Sequence, residues 1–206
     1  MRVEILGATA APMDLISLAA GCCYGKRDVS HKRVFTCHKR GHMSVFEHAS
    51  VTILVEGISR ACMAQLTRHR LVSFCVESQR YCRIDVDGHD WYVMPPAFPD
   101  DTEQTVYFSG AMYDAACEYQ EALASGIKPE DARYLLPEAT KTNLVMTCNV
   151  RELFHLFDMR LDKSAQWEIR GLAAAIKDAL KSHGEQWCAL MELYESEGKC
   201  RTTSAL

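Results

Sequence analysis

Apolar and polar positions change period several times along the chain, and each change marks an element. Residues 49–58, "ASVTILVEGI", alternate with a period of two and are rich in β-branched side chains, which predicts a strand. "VEIL" near the N-terminus reads as a short opening strand, and "PMDLISLAAGCCYG" as a helix that begins at Pro12 and is stopped by glycine. "VSHKRVFTCHKRGH" predicts a second, basic helix with Gly41 as its terminator. Ser59 is placed to cap a helix over "RACMAQLTRHR". After the loop containing "MPPAFPD", residues 101–125 predict a long helix ending at Gly126, and "PEDARYLL" another behind Pro129. "LVMTCNV" reads as extended, followed by helices over about 150–161 and 164–182 and a last one ending near Gly198. Helices dominate and the strands do not alternate with them as βαβ units, so the fold class is α+β. The expected architecture is a small, twisted, mainly antiparallel sheet packed with several long helices.

Composition narrows the function classes. A chain of 206 residues with 48% hydrophobic content suits one domain over 1–206 that buries roughly 70% of its unfolded surface. A net charge of −4 argues against a general nucleic-acid coat, which carries a basic excess, but leaves room for a local basic pocket. Ten scattered cysteines without a C-x-x-C pair fit reduced thiols in a cytoplasmic setting. No long apolar run suggests a signal peptide or membrane span.

Three places carry candidate chemistry. "RHRLVSFCVESQRY", residues 68–81, sets two arginines around a histidine, then six uncharged residues, then Glu77 and Arg80. It is either a solvated basic turn that complements a helix C-terminus or a site that holds anions. If the helix from Ser59 continues through it, Gln65, Arg68 and His69 fall at i, i+3 and i+4 on one face. The second place is "NVRELFHLFDMRLDKSAQWEIRGLAAAI". There Leu153, Phe154, Phe157 and Leu161 form a core stripe, Arg151, His155 and Asp158 follow one another on another side, and Gln166 and Arg170 sit four apart. The third is "CHKRGHMSVFEH". Its His38 and His42, with Cys37 or His48, could be read as zinc ligands. The glycine between the two histidines breaks the helix, so a polar loop against a ligand is preferred and no metal is expected.

"RHR", seven residues, then a serine followed by "QRY" resembles the signature of the flavin-dependent thymidylate synthases. "GHxSxxEH" before it and "NxRELxxxF…R…AQWEIR" after it are similar to other blocks of that family, in the same order over residues 38–171. The chain departs from the common pattern in "FCVE" ahead of Ser78, at Val45 where proline is frequent, and at Asn143 where some members carry arginine.

The resemblance implies a homotetramer with active sites shared between subunits. It implies conversion of dUMP to dTMP, with 5,10-methylenetetrahydrofolate as one-carbon donor and FAD, reduced by NADPH, as hydride source. Gln65, Arg68, Glu77, Ser78, Gln79 and Arg80 would contact dUMP. His42, Ser44, Arg68, His69, Arg70, Asp158, Arg160 and Ser164 would hold FAD, and Arg170 would face the uracil imide as the catalytic residue. A guanidinium suits that place because its planar fork matches phosphates and imide edges. Ser78 lacks a base at a motif spacing that would activate it, so it is expected to bind rather than attack. The competing reading is a non-catalytic nucleotide or nucleic-acid binding module built on the same basic segment.

Overall fold

The computed structural model describes residues 1–88, 90–100 and 102–197. The strands follow from period-two burial. In β2, Ser50–Ser59, the side chains of Val51, Ile53 and Val55 are buried at alternate positions, and in β4, Lys141–Asn149, so are Thr142, Leu144, Met146 and Cys148. With β1, Arg2–Ala8, and β3, Ser73–Val76, they make a four-stranded sheet in the order β1-β2-β4-β3. The Thr52 and Thr147 hydroxyls bond at 3.0 Å, and the Gly57 N–H reaches Asn143 Oδ1 at 3.0 Å. Numbers rise along β2 as they fall along β4, so this central pair is antiparallel, as expected.

The described backbone divides into two compact units between which the chain passes repeatedly: 1–55 with 66–75 and 145–197, and 56–65 with the described part of 76–144. The first unit holds helices α1, Pro12–Cys22, α2, His31–Lys39, α6, Val150–Arg160, α7, Trp167–Ser182, and α8, Glu185–Glu197. Its core is aliphatic and aromatic: Met13, Ile16, Val34, Phe46, Leu153, Phe154, Phe157, Ile169, Leu172 and Ile176 are each at most 1% exposed. Gln186 of α8 caps α1, its Oε1 accepting from the Met13 and Asp14 N–H groups at 2.9 and 3.2 Å. The second unit holds α3, Arg60–Leu66 as far as residue 65, α4, Glu103–Ala124, and α5, Pro129–Ala132. Its core gathers Trp91, Tyr92, Met112, Ala116, Tyr119 and Ala132. Thr102 caps α4 by accepting from the Thr105 N–H, and Gly126, at a φ of 88°, supplies the left-handed residue that ends it.

Ser59 caps α3 as expected, accepting from the Cys62 N–H at 3.0 Å. The helix nevertheless stops at Leu66, so "RHR" lies in a turn and the shared helical face of Gln65, Arg68 and His69 does not form. Two contacts explain the stop: the His69 N–H turns back to the Leu66 carbonyl at 3.1 Å, and the His69 ring is drawn to a long-range partner. Strand β3, to which the sequence reading assigned no element, takes up "SFCV". Helix α7 begins at Trp167 rather than 164, because Gln166 is its cap, with Oε1 accepting from the Glu168 and Ile169 N–H groups. Gln166 and Arg170 are therefore not a ligand-facing pair on one helix. The expected stop near Gly198 lies outside the described residues.

Candidate active site

Both units carry candidate residues, and the first group is built around the arginine-histidine-arginine turn. Arg68 and Arg70 are exposed while His69 is 5% exposed, so the turn points two cations outward and pins itself by the ring between them. His69 Nδ1 lies 3.2 Å from Glu152 Oε1, and Arg160 Nε donates to His69 Nε2 at 3.1 Å. Both partners come from α6, more than eighty residues away. The His155 ring stands edge-on to His69 at 5.6 Å. Burial, the Arg160 charge and His155 lower the His69 pKa, opposed by Glu152, with burial the largest cause. Next to this group the Cys148 thiol, buried and facing Glu152, is pushed up to about 12 and stays protonated.

The sign of that shift gives a stability expectation. The unfolded chain takes up the His69 proton near 6.5, the folded chain only at lower pH. The contribution of His69 to stability is therefore complete above about pH 6.5 and is lost as the pH falls below it. Urea midpoints measured between about pH 7.5 and about pH 5.5 should drop for the wild type and drop less steeply for His69→Asn. Equal slopes would show that His69 does not titrate this way.

His69, Glu152 and His155 offer donor atoms within 4.8 Å of one another. Arg160 already bonds the outer nitrogen of His69, so the group reads as a hydrogen-bonded chain with its own cation. The histidines singled out from sequence do not gather: His38 is buried edge-on to Phe46 and Phe154, while His42 and His48 are exposed.

A cavity of about 700 Å³ opens in the same unit, lined in part by Arg33, Arg40, Gly41, His42, Ser44 and Arg151. His42 and Ser44 both line it. Gly41, at a φ of 71°, ends α2 and turns the chain into the 3₁₀ segment Met43–His48. Arg33 is held by Asp28 and the Ser17 carbonyl, and Arg151 pairs with Glu47. Burial raises the Cys37 thiol in this wall, against the lowering effect of Arg33 and Arg40. Arg151 was legible as a polar position on α6 but not as a cavity residue, since nothing local ties it to "GHMS".

The remaining candidates of this unit are engaged elsewhere. Asp158 accepts from the Tyr194 hydroxyl at 3.1 Å, and Ser164 bonds Asp162 through both N–H and Oγ. Arg170 donates to the Lys163 carbonyl at 2.9 Å, closing the loop before α7.

The second unit holds the "ESQRY" turn. The Glu77 N–H bonds the Asn143 carbonyl at 2.9 Å, and Glu77 Oε2 accepts from Asn143 Nδ2 at 2.8 Å. Asn143 also receives the Gly57 N–H, where a φ of 72° suits glycine. The residue that departs from the common pattern is thus a strut for Glu77. Ser78 accepts the Tyr81 and Cys82 N–H groups at its carbonyl and the Arg80 N–H at its hydroxyl. That turn leaves Arg80 exposed, where its Nε donates to Glu130 Oε2 at 2.7 Å and holds that carboxyl below the usual range. Gln79 is buried and lines a cavity of about 290 Å³ with Arg60, Met63, Arg133, Tyr134 and Glu138. Burial first, then the neighbouring Arg133, lower the Arg60 pKa against Glu77 and Glu138, which raise it, so two cations share this half-buried wall with the Glu138 carboxylate. Neither Arg60 nor Arg133 was singled out from sequence: Arg60 stands among apolar neighbours, and Arg133 follows the acidic start of α5. Gln65 bonds back to the Ala61 carbonyl at 3.4 Å.

Comparison with known proteins gives the family. The family described as thymidylate synthase complementing protein matches residues 4–183. The chain is 41% identical to the flavin-dependent thymidylate synthase of Halobacterium salinarum over 98% of both chains. It is 36% identical to that of Geobacter sulfurreducens over 88% of this chain and 82% of the relative. Among solved structures, a flavin-dependent thymidylate synthase from Helicobacter pylori complexed with FAD and dUMP superposes with a TM-score of 0.77 at 25% identity, covering 95% of this chain and 99% of the other. A UMP/dUMP methylase from Streptomyces cacaoi bound with 5-Br dUMP gives 0.79 at 26% identity, covering 96% of both. Because the family match runs through both units, taking in the buried His69 contact and the "ESQRY" turn alike, this chain belongs to the thymidylate synthase complementing protein family.

Proposed function

We propose that the protein is a flavin-dependent thymidylate synthase, an enzyme that converts dUMP to dTMP with 5,10-methylenetetrahydrofolate as one-carbon donor and NADPH as reductant. The observation that carries the reading is the His69 contact. Two motifs more than eighty residues apart meet at one buried ring, which turns Arg68 and Arg70 outward in the unit that also holds the His42 and Ser44 cavity.

The residues fit FAD on the chemistry of their side chains. A cavity of about 700 Å³ with arginines in its wall suits a pyrophosphate. His42, Ser44, Arg68, His69 and Arg70 would hold the cofactor, with Asp158, Arg160 and Ser164 assigned to it by resemblance. FAD, when bound, supplies the hydride that completes the methyl group. The protein's own residues bind, orient and polarise. Gln65, Arg68, Glu77, Ser78 and Gln79 would contact dUMP, and Arg80 would exchange Glu130 for the phosphate, a stronger charge-assisted partner. The half-buried Arg60 and Arg133 add positive charge in the same unit.

One guanidinium must face the uracil imide to stabilise negative charge as it develops on the ring. The resemblance supplies Arg170 for this role; the geometry supports Arg160 ahead of it. Each guanidinium spends an N–H on a protein acceptor; that of Arg160 ties it to the arginine-histidine-arginine turn through His69, that of Arg170 ties it to the loop before α7 through the Lys163 carbonyl.

Assembly into a homotetramer with shared sites is part of the same proposal. The exposed Val106, Gly110 and Tyr113 on α4, spaced four and three apart, support it as a stripe that a neighbouring subunit would cover. Nine described cysteines form no disulfide, and no described helix is long and apolar enough to cross a membrane. A cytoplasmic location is part of the same proposal.

The test is direct. Purified protein should bind FAD and turn yellow, and dTMP should form from dUMP only when FAD, NADPH and the folate are present together. Ser78→Ala should weaken dUMP binding and leave measurable turnover. Protein that takes up no FAD and forms no dTMP would end the reading, and complete loss of turnover with dUMP affinity intact in Ser78→Ala would end the binding role of that serine.

A further inference from the structure

Both ring nitrogens of His69 are engaged, and the identity of one partner decides where the proton sits. An arginine Nε–H only donates. Arg160 Nε, 3.1 Å from His69 Nε2, therefore makes that nitrogen the acceptor. The single proton of the neutral ring then lies on Nδ1, 3.2 Å from Glu152 Oε1, and an ionised carboxylate only accepts. Water does not compete, because the His69 and Glu152 side chains are 3% and 6% exposed.

Glu152 is itself fixed. It sits in the first turn of α6, where its backbone N–H is capped by Asn149 Oδ1 at 2.9 Å and where the helix end favours negative charge. The charged and titratable groups on the ring are Glu152, Arg160 and His155. A second proton on the ring would set an N–H against the Arg160 N–H in a buried place, so the neutral form is the one that satisfies both hydrogen-bond partners, Glu152 and Arg160. This buried carboxylate bonds a ring that in turn accepts from a guanidinium.

We propose that Glu152 is a positioning residue: its carboxylate keeps the His69 proton on Nδ1, and the acceptor nitrogen this leaves on the far side of the ring orients the Arg160 guanidinium. The consequence for turnover rests on the role of Arg160 given above, whereas the position of the proton does not.

The experiment uses the full chain with ¹⁵N-labelled histidine, the His69 resonances being identified by their loss in His69→Gln. Nitrogen shifts separate protonated from bare ring nitrogens. In the wild type, Nδ1 should be the protonated nitrogen and Nε2 the bare one from about pH 6 to about pH 9. Glu152→Gln, whose amide oxygen still accepts, should keep that signature and most of the turnover. Glu152→Leu should lose it, and kcat for dTMP formation should fall on the order of 10-fold to 100-fold with KM for dUMP little changed. A wild-type His69 protonated on Nε2, or averaging between forms, overturns the proposal. So does a Glu152→Leu variant that keeps both signature and rate. If Glu152→Leu does not fold, the wild type and Glu152→Gln decide. A correct signature in a protein that forms no dTMP would leave the proposal standing and remove the enzyme reading instead.

Discussion

Replacing Arg160 with lysine lowers kcat/KM for dTMP formation by about 10²-fold to 10³-fold, a loss of roughly 3–4 kcal/mol of transition-state stabilisation. Lysine keeps the charge but has no Nε–H to bond His69 and no planar fork to meet an imide edge. The variant should fold, because Arg160 is the last residue of α6 and its side chain is not part of the apolar core. The comparison that gives the result meaning is Arg170→Lys. Arg170 closes a loop through the Lys163 carbonyl, so its replacement should cost less than about tenfold. Steady-state assays of the two variants beside the wild type check this. If Arg170→Lys is the severe change and Arg160→Lys the mild one, the imide contact belongs to Arg170 and the geometric argument for Arg160 fails.

The second large effect is on stability. Phe154→Ala should destabilise the fold by about 3–5 kcal/mol, the usual range for a buried phenylalanine cut to alanine. Phe154 is 1% exposed and touches three rings, with centroids 5.6 Å from His38, 5.9 Å from Phe46 and 5.3 Å from Tyr194. Those partners come from α2, the 3₁₀ segment and α8, so no single neighbour can move to fill the space. The loss should appear as a lower urea midpoint and a fall in Tm of roughly 10 °C. A change below about 1 kcal/mol would mean that the core collapses onto the cavity and that the three ring contacts do not share the load described. Glu152 and Arg160 lie on the same helix, so turnover at fixed temperature should fall as well.

Local signals in the chain were enough for the α+β class, for β2 and β4, and for the ends of the helices that stop at Gly41 and Gly126. Each of these depends on residues within one or two turns: alternation for strands, a left-handed glycine after a helix. The three motif blocks were legible in the same way, as letters at fixed spacing, and they were enough to suggest the family to which the chain belongs.

What the spacing could not determine was how those letters are used. Helical periodicity carried α3 through Arg68 and His69, yet the chain leaves the helix at Leu66 because a ring bonded to α6 outweighs another turn of backbone hydrogen bonds. Gln166, set four residues from Arg170, is a cap, Glu152, which no pattern singled out, is buried, and Arg60, Arg133 and Arg151 entered cavities that no local pattern announces. Composition and period therefore determined the elements and the family signature, since both follow from neighbouring residues. Only the tertiary structure decided which arginines are tied and which are turned outward, because a side chain's partners are set by residues eighty or more positions away that the fold brings to hydrogen-bonding distance.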